Sequence, residues 1–315
     1  MHNITVQAES LPVVAGGDRL LDSFLSGRSE RTRKAYTQDI EDFRRWAGCE
    51  SQSEAVRFFL GSGQGSANGM ALDFRNALLE KGLSPSTINR KLAALRSLVK
   101  LGRTLGIISW ALEIPSLKVE AYRDTSGPGR SGFSSMFSKV RERKDAKGIR
   151  DVALLRLLFD LGLRRGEVVS LDLEDVDAEN SRLMVMGKGR LQKEALSLPS
   201  RTMEALLEWI AVRGLEAGPL FFNLDRAKKG GKRLSGTSLY RIVRDYGKEV
   251  GLKTRPHGIR HTAITEAVKV AHENGIGLDE VLQFSRHKDV KTLMIYRDRE
   301  RNVQGQLAGL VAAAV

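Results

Sequence analysis

Apolar positions recur at helical spacing through most of the first hundred residues. Arg19–Leu25 reads as a short helix with one apolar face. Ser29 can cap a helix running to about Trp46, with Ala35, Tyr36, Ile40, Phe43 and Ala47 at helical spacing. Ser53–Leu60 and Ala67–Glu80 follow as helices, separated by the glycine-rich run Gly61-Ser62-Gly63-Gln64-Gly65, which reads as a loop. Ser84-Pro85 then supplies an N-cap and a first helical residue. The helix they open has Ile88, Leu92, Leu95 and Val99 along its apolar face, while Arg90, Lys91, Arg96 and Lys100 fall elsewhere. The alternation of a strand is missing here, so residues 15–118 are expected to form a helical domain of about five short helices.

The pattern changes at 119–132. Pro128 and three nearby glycines interrupt helical spacing, and Arg123-Asp124-Thr125-Ser126 is polar, so this stretch reads as a linker. It contains a literal GxGxxG, Gly127 to Gly132. A dinucleotide-binding reading fails because no strand precedes it and the βαβ surroundings are missing. The second domain is expected over 133–315. It holds a strongly apolar helix at Asp151–Leu161 and two short strands, Leu183–Met186 and Ala195–Leu198, around a Gly-Lys-Gly turn. Further helices are expected at Thr202–Val212, from Ser235 to about Val250, and at Thr262–Ala271, Asp279–Phe284 and Val290–Tyr296, with an extended piece at Pro219–Phe222. The fold class that follows is mainly α, with a small antiparallel β-sheet in the C-terminal domain.

At 315 residues the chain is long enough for two cores. One cysteine, Cys49, excludes an internal disulfide and a cysteine-clustered zinc site. No stretch approaches the ~18 apolar residues of a membrane span. Met1 to Ala15 lacks the cationic start of a signal peptide, so the cytosol is the expected compartment. The formal net charge of +13 points toward a polyanion such as nucleic acid, although a solvated basic surface would also account for it. Residues 1–120 carry 16 Lys/Arg against 13 Asp/Glu, leaving 35 against 25 in the rest. The basic excess therefore lies with the C-terminal part.

That part also holds the candidate chemistry. His257-Gly258-Ile259-Arg260-His261 is followed by His287 and, nine residues later, by Tyr296. Further back stand Arg164, with Glu167 three residues on, and Lys188 between Gly187 and Gly189. Arginine stays charged and forks onto phosphate, so Arg164 and Arg260 suit the charge that builds on a phosphodiester under in-line attack. Lys188, at a hairpin tip, can act as a general acid on a leaving oxygen. His257 and Arg260 share a face of one helical turn, and imidazole exchanges protons near neutral pH. His287 can donate to the phosphate, and the phenol of Tyr296 can attack it if nearby cations lower its ordinary pKa of ~10. His261 points elsewhere and suits a supporting role. Taken singly, each has an ordinary alternative: a surface arginine, an exposed turn lysine, a tyrosine in a core.

As a set, in this order, they resemble the tyrosine recombinase family, also called phage integrases. The likeness rests on Gly162-Leu163-Arg164-Arg165-Gly166-Glu167, Gly187-Lys188-Gly189, the His257–His261 stretch, and Ser285-Arg286-His287 through Tyr296, with Pro219-Leu220-Phe221 and Leu234-Ser235 in addition. Ile259 replaces the family's leucine and Arg286 its glycine; neither change removes a reacting group. The resemblance implies a helical core-binding (SAM-like) domain joined to a tyrosine-recombinase catalytic domain, clamped around double-stranded DNA at a specific recombination site. It implies that Tyr296 forms a 3′-phosphotyrosine while Arg164, Arg260 and His287 hold the phosphate. Lys188 would protonate the leaving 5′-oxygen and His257 would assist proton transfer, with Glu167 and His261 supporting. No metal, cofactor or ATP is implied. Four protomers would exchange strands through a Holliday junction, in integration, excision or resolution.

Candidate DNA contacts are Arg90, Lys91 and Arg96 in the first domain. In the second they are the basic loop Lys228, Lys229, Lys232, Arg233 and the helix face Thr237, Tyr240, Arg241, Arg244. Beyond Tyr296, Val303, Leu307, Leu310, Val311 and Ala314 form an apolar stripe on a helix, 303–314, expected to dock on a neighbouring protomer. Two other readings stay open: a type IB topoisomerase, with similar phosphate chemistry, and a non-catalytic DNA-binding protein. A nucleoid-associated cytoplasmic enzyme is the leading one.

Overall fold

Serine caps organise the first third of the chain. The structure, a computed structural model of the single chain, describes residues 17–119, 127–187, 189–190, 192–224, 232–287, 290, 293 and 303–314. It divides into two units, Met1–Ala121 and Tyr122–Val315.

In the first unit α1 spans Gly17–Leu25, α2 Glu30–Ala47, α3 Gln52–Gly61, α4 Gly63–Glu80 and α5 Pro85–Thr104. Ser29, Ser51 and Ser84 each accept a backbone N–H of the first turn they cap, and Pro85 occupies the first position of α5. Gly48, at φ 72°, lets the chain turn left-handed out of α2. The expected Gly61–Gly65 loop is absent: α3 reaches Gly61 and α4 begins at Gly63. Ala67, Ala71, Phe74 and Leu78 make a continuous buried stripe on α4, and its burial outweighs the ~1 kcal/mol helix penalty of each glycine. Phe43 lies at the centre of this core, with Phe59 at 5.1 Å and Phe74 at 5.3 Å between ring centroids, both edge-on. The helical reading stops at Thr104. Residues 105–119 run without helix, strapped to α5 by Asn89, which pairs with both backbone groups of Leu117 at 2.8 and 2.9 Å.

The second unit begins with α6, Gly129–Glu142, inside the stretch expected to be linker. Phe133, Met136 and Val140 are its buried face. α7, Ala146–Asp160, starts five residues before the expected helix because Asp145 caps it, accepting Gly148 N at 2.8 Å. Its Leu154, Leu155, Leu157 and Leu158 are all buried, as a helix at the centre of a unit requires. The short α8, Arg165–Ser170, leads to a three-stranded antiparallel sheet: β1 Val176–Asp177, β2 Arg182–Met186 and β3 Lys193–Ser197, in that order. β2 buries Leu183 and Val185 and exposes Arg182 and Met186, and the pair Met186–Lys193 closes the hairpin. β1, only two residues long, carries no alternation to read. α9 (Ser200–Arg213), α10 (Gly236–Glu249), α11 (Pro256–Glu273) and α12 (Leu278–Ser285) follow, with a last helix at Val303–Ala313. Trp209 of α9, fully buried, donates to Leu220 O at 2.8 Å and so anchors the Pro219–Phe222 segment. α11 starts six residues before the expected Thr262, since extended Arg255 and Pro256 open it. Ile264 and Val268 of α11 pack with Val281 of α12 and with Leu293. Apart from Val290 and Leu293, the expected helix Val290–Tyr296 lies outside the described residues.

Candidate active site

Arg164 is placed by a sharp change of backbone direction. After α7 the chain turns at Gly162, whose φ of 54° favours glycine, and Arg164 continues extended into α8. Glu167, one turn into α8 and 4% exposed, takes the Arg164 backbone N–H on Oε2 at 2.9 Å and the Arg164 Nη1 on Oε1 at 2.8 Å. Arg164 Nη2 donates to the carbonyl of Arg286 at 3.1 Å.

Arg260, in the second turn of α11, is 2% exposed. Its two terminal nitrogens donate to Gly162 O and Ser285 O. It therefore ties the turn before Arg164 to the end of α12. Arg164 and Arg260 thus grip consecutive carbonyls, Arg286 and Ser285, immediately before His287. The His287 backbone N–H is held at 3.4 Å from Ser285 Oγ. Arg286 sits in the left-handed region at φ 50°, and its Nη2 donates to Glu167 Oε2 at 2.8 Å. His257, on the first turn of α11, is exposed.

Two guanidiniums, those of Arg164 and Arg286, share the Glu167 carboxylate, and the electrostatics follow. Burial raises the Glu167 pKa, but the Arg164 N–H and the Arg286 and Arg164 charges outweigh it; the net shift is downward and the group stays ionised. His287 is pushed down to about 4, first by partial burial and then by Arg260, Arg164, His257 and Arg286. His257 is lowered by partial enclosure of its ring and by Arg260, Arg255 and Arg164. Both imidazoles are therefore neutral near pH 7, each offering one N–H donor and one acceptor. With one carboxylate against three arginines, the site keeps an excess of positive charge suited to a phosphate.

The remaining expected residues are spread more widely. Lys188, Tyr296, Lys228 and Lys229 lie outside the described residues. His261 is 7% exposed and borders an open cleft of about 670 Å³ beside Thr262 and the start of α6. Lys91 is 4% exposed and ion-paired with Asp39, at 3.2 Å, and with Asp42. Its charge is taken up inside the first unit, an arrangement that favours a structural role over the expected phosphate contact. Arg90 is exposed but also bound to Asp39. Arg96 donates to Ile114 O at 2.7 Å, which gives it a structural partner. In the second unit Lys232, Thr237, Tyr240 and Arg241 are exposed. Arg233 is exposed but fastened to Leu171 O at 3.0 Å and to Asp172, while Arg244 pairs with Asp245 at 2.8 Å. The sequence marks Arg286 only as a departure from the family's glycine. Its link to Glu167 spans 119 residues and leaves no local signal.

Comparison with known proteins identifies the family. The Phage integrase family profile matches residues 134–302. A tyrosine recombinase of Synechocystis is 37% identical over 291 residues, covering 90% of this chain and 91% of that protein. One of Synechococcus elongatus is 34% identical over 308 residues, covering 96% and 95%. Among solved structures, XerH site-specific recombinase bound to its palindromic difH substrate, a post-cleavage complex, superposes with a TM-score of 0.67 at 19% identity, covering 89% of this chain and 80% of that one. That likeness is one of fold. The chain belongs to the tyrosine recombinase, or phage integrase, family.

Proposed function

We propose that this protein is a site-specific DNA recombinase that cuts and rejoins double-stranded DNA through a phosphotyrosine. The observation that carries the reading is the convergence of Arg164, Arg260 and His287, drawn from three separate segments and joined through the Gly162, Ser285 and Arg286 carbonyls. In this reading Arg164, Arg260 and His287 bind the non-bridging oxygens, where charge develops in the transition state. Tyr296 attacks phosphorus, forming a 3′-phosphotyrosine as the bond to the 5′-oxygen breaks. Lys188, which falls between β2 and β3 in sequence, delivers a proton to that oxygen. Neutral His257 relays a proton from the phenol, and Glu167 and His261 support the site. The phosphotyrosine conserves the bond energy, so neither metal, cofactor nor ATP is assigned a step.

The first unit is the core-binding domain and the second the catalytic domain. Lys232, Tyr240 and Arg241 are exposed on one unit and fit DNA contact, with Lys228 and Lys229 adjoining them in sequence. XerH, whose fold this chain resembles, was captured on its DNA substrate after cleavage, which supports the same partner here. Four protomers would pair two sites and pass through a Holliday junction, coupled by the 303–314 helix. Among the described residues no helix is long and apolar enough to cross a membrane; the proposed DNA substrate is what would place the enzyme at the nucleoid. The test is recombination between two copies of the site on one plasmid, recovered by sequencing the DNA that the protein traps covalently. Exchange of flanking segments is expected. Relaxation of supercoils without exchange would point instead to a topoisomerase.

A further inference from the structure

Arg286 adopts a backbone conformation that arginine seldom takes. Its φ of 50° and ψ of 37° lie in the left-handed region, where a Cβ crowds the backbone and glycine is the usual occupant. The side chain then turns inward: it is 5% exposed. Its Nε is buried and makes no hydrogen bond among the described residues. A left-handed arginine, a buried charge and an unused buried donor are each unfavourable. Glycine would end α12 with none of these penalties. Strain kept in place by surrounding contacts is characteristic of a working site.

What the arrangement secures is Arg164. Glu167 is shared by two guanidiniums, with Oε1 accepting Arg164 Nη1 at 2.8 Å and Oε2 accepting Arg286 Nη2 at 2.8 Å. The carbonyl of Arg286 accepts Arg164 Nη2 at 3.1 Å. Arg286 therefore acts on both ends of the Arg164 fork, on one directly and on the other through Glu167. A planar fork held at two points has a fixed plane only while both points are fixed; the carbonyl is backbone, and what the Arg286 side chain adds is a hold on the Glu167 carboxylate at the other point. Glu194 of β3 also attracts the Arg286 charge.

We propose that Arg286 is a positioning residue for strand cleavage: through Glu167 and through its own carbonyl it fixes the Arg164 guanidinium in the plane that receives a non-bridging phosphate oxygen. The inference rests on the reading of Arg164 as a phosphate ligand given above.

The test compares the full-length wild type with R286G, R286K and R164A in single-turnover cleavage of a nicked duplex carrying the recovered site. Equilibrium binding and thermal melting are measured on the same preparations. Glycine is at home at φ 50°, so R286G should fold, and it should bind DNA as the wild type does. Its cleavage should slow roughly tenfold, less than the ~10²–10³-fold typical of losing a direct transition-state donor. Lysine keeps a cation for Glu167, so R286K should recover part of the rate and provides a second variant whose folding can be checked. A second substrate replaces one non-bridging oxygen of the scissile phosphate by methyl. This methylphosphonate is neutral and leaves Arg164 less charge to stabilise. On it the R164A and R286G deficits should shrink together, which loss of a merely structural contact would not produce. R286G cleaving at the wild-type rate would overturn the inference alone. So would an R286G deficit unchanged on methylphosphonate while that of R164A shrinks. A wild type that leaves no adduct would overturn the proposed function and this inference with it.

Discussion

The guanidinium of Arg164 donates to the carbonyl oxygen of Arg286 at 3.1 Å, across 122 residues of chain. One residue earlier, the Ser285 carbonyl accepts from Arg260. Two arginines, one just before α8 and one in α11, thus hold the backbone that leads into His287. The same bonds that would orient a phosphate-binding site also fasten α12 to the rest of the unit, so stability and cleavage should fail together when they are broken.

Arg260 gives the plainest case. It is 2% exposed and bridges two carbonyls. Lysine has one nitrogen and cannot reproduce the fork. Arg260→Lys is expected to lower stability by about 1–3 kcal/mol, the penalty for a buried group left unpaired. Cleavage should fall by ~10²-fold or more. Thermal melting and single-turnover cleavage on one preparation decide it; an R260K protein both stable and fast would show that the bridge is dispensable.

His287 should be neutral in the free protein at every pH above the acidic range. Partial burial, then the Arg260 and Arg164 charges, depress its pKa from the usual 6.5 to about 4, and His257 is depressed for similar reasons. A histidine whose folded pKa lies below its unfolded value binds its proton more tightly when unfolded. Its contribution to stability is therefore complete above about 6.5 and is lost progressively as pH falls toward about 4. An NMR titration of the ring protons should put the His287 midpoint well under 6.5. A midpoint at or above 6.5 would mean that the cationic site does not surround it.

Lys91 belongs to the core of the first unit. Its ammonium lies between Asp39, whose side chain is fully buried, and Asp42. Lys91→Met strips a partner from a buried carboxylate and should destabilise that unit by about 3–5 kcal/mol. The slope of log Kd against log salt should stay unchanged, since no phosphate contact is lost. A shallower slope with unchanged melting would return Lys91 to the DNA interface.

Elements with a local signal could be read from the sequence, and those fixed by distant contacts could not. Ser29, Ser84-Pro85 and Ser235 mark helix starts because a cap acts within one turn, and each is found in that role. The glycines of Gly61–Gly65 mislead because local propensity yields there to the buried face of α4. Pro128 and Gly129 obscure the start of α6, although Phe133, Met136 and Val140 carry a helical stripe. At the site, the motif order singles out Arg164, Arg260 and His287. It cannot show that Lys91 is buried against Asp39 or that Arg286 shares Glu167, since both depend on partners 52 and 119 residues away.

The C-terminal helix should matter to assembly rather than to binding. In the single chain its described side chains from 308 to 314 are exposed, Leu310 at 68% and Val311 at 66%. Deleting 303–315 is expected to leave single-site DNA binding intact and to weaken pairing of sites and strand exchange. Gel shifts on one-site and two-site DNA, with a recombination assay, separate the two. Normal recombination by the truncated protein would exclude a role in joining protomers.

Chemical identification of the covalent link tests the central claim most directly. The wild-type protein is incubated with a nicked duplex that lets the short fragment bearing the released 5′-hydroxyl diffuse away, then digested, and the nucleotide-bearing peptide is sequenced by mass spectrometry. The account predicts a 3′-phosphate ester on Tyr296, formed equally well with EDTA present, and no adduct from Tyr296→Phe despite normal DNA binding. An adduct on another residue, or an undiminished adduct from Tyr296→Phe, would contradict it.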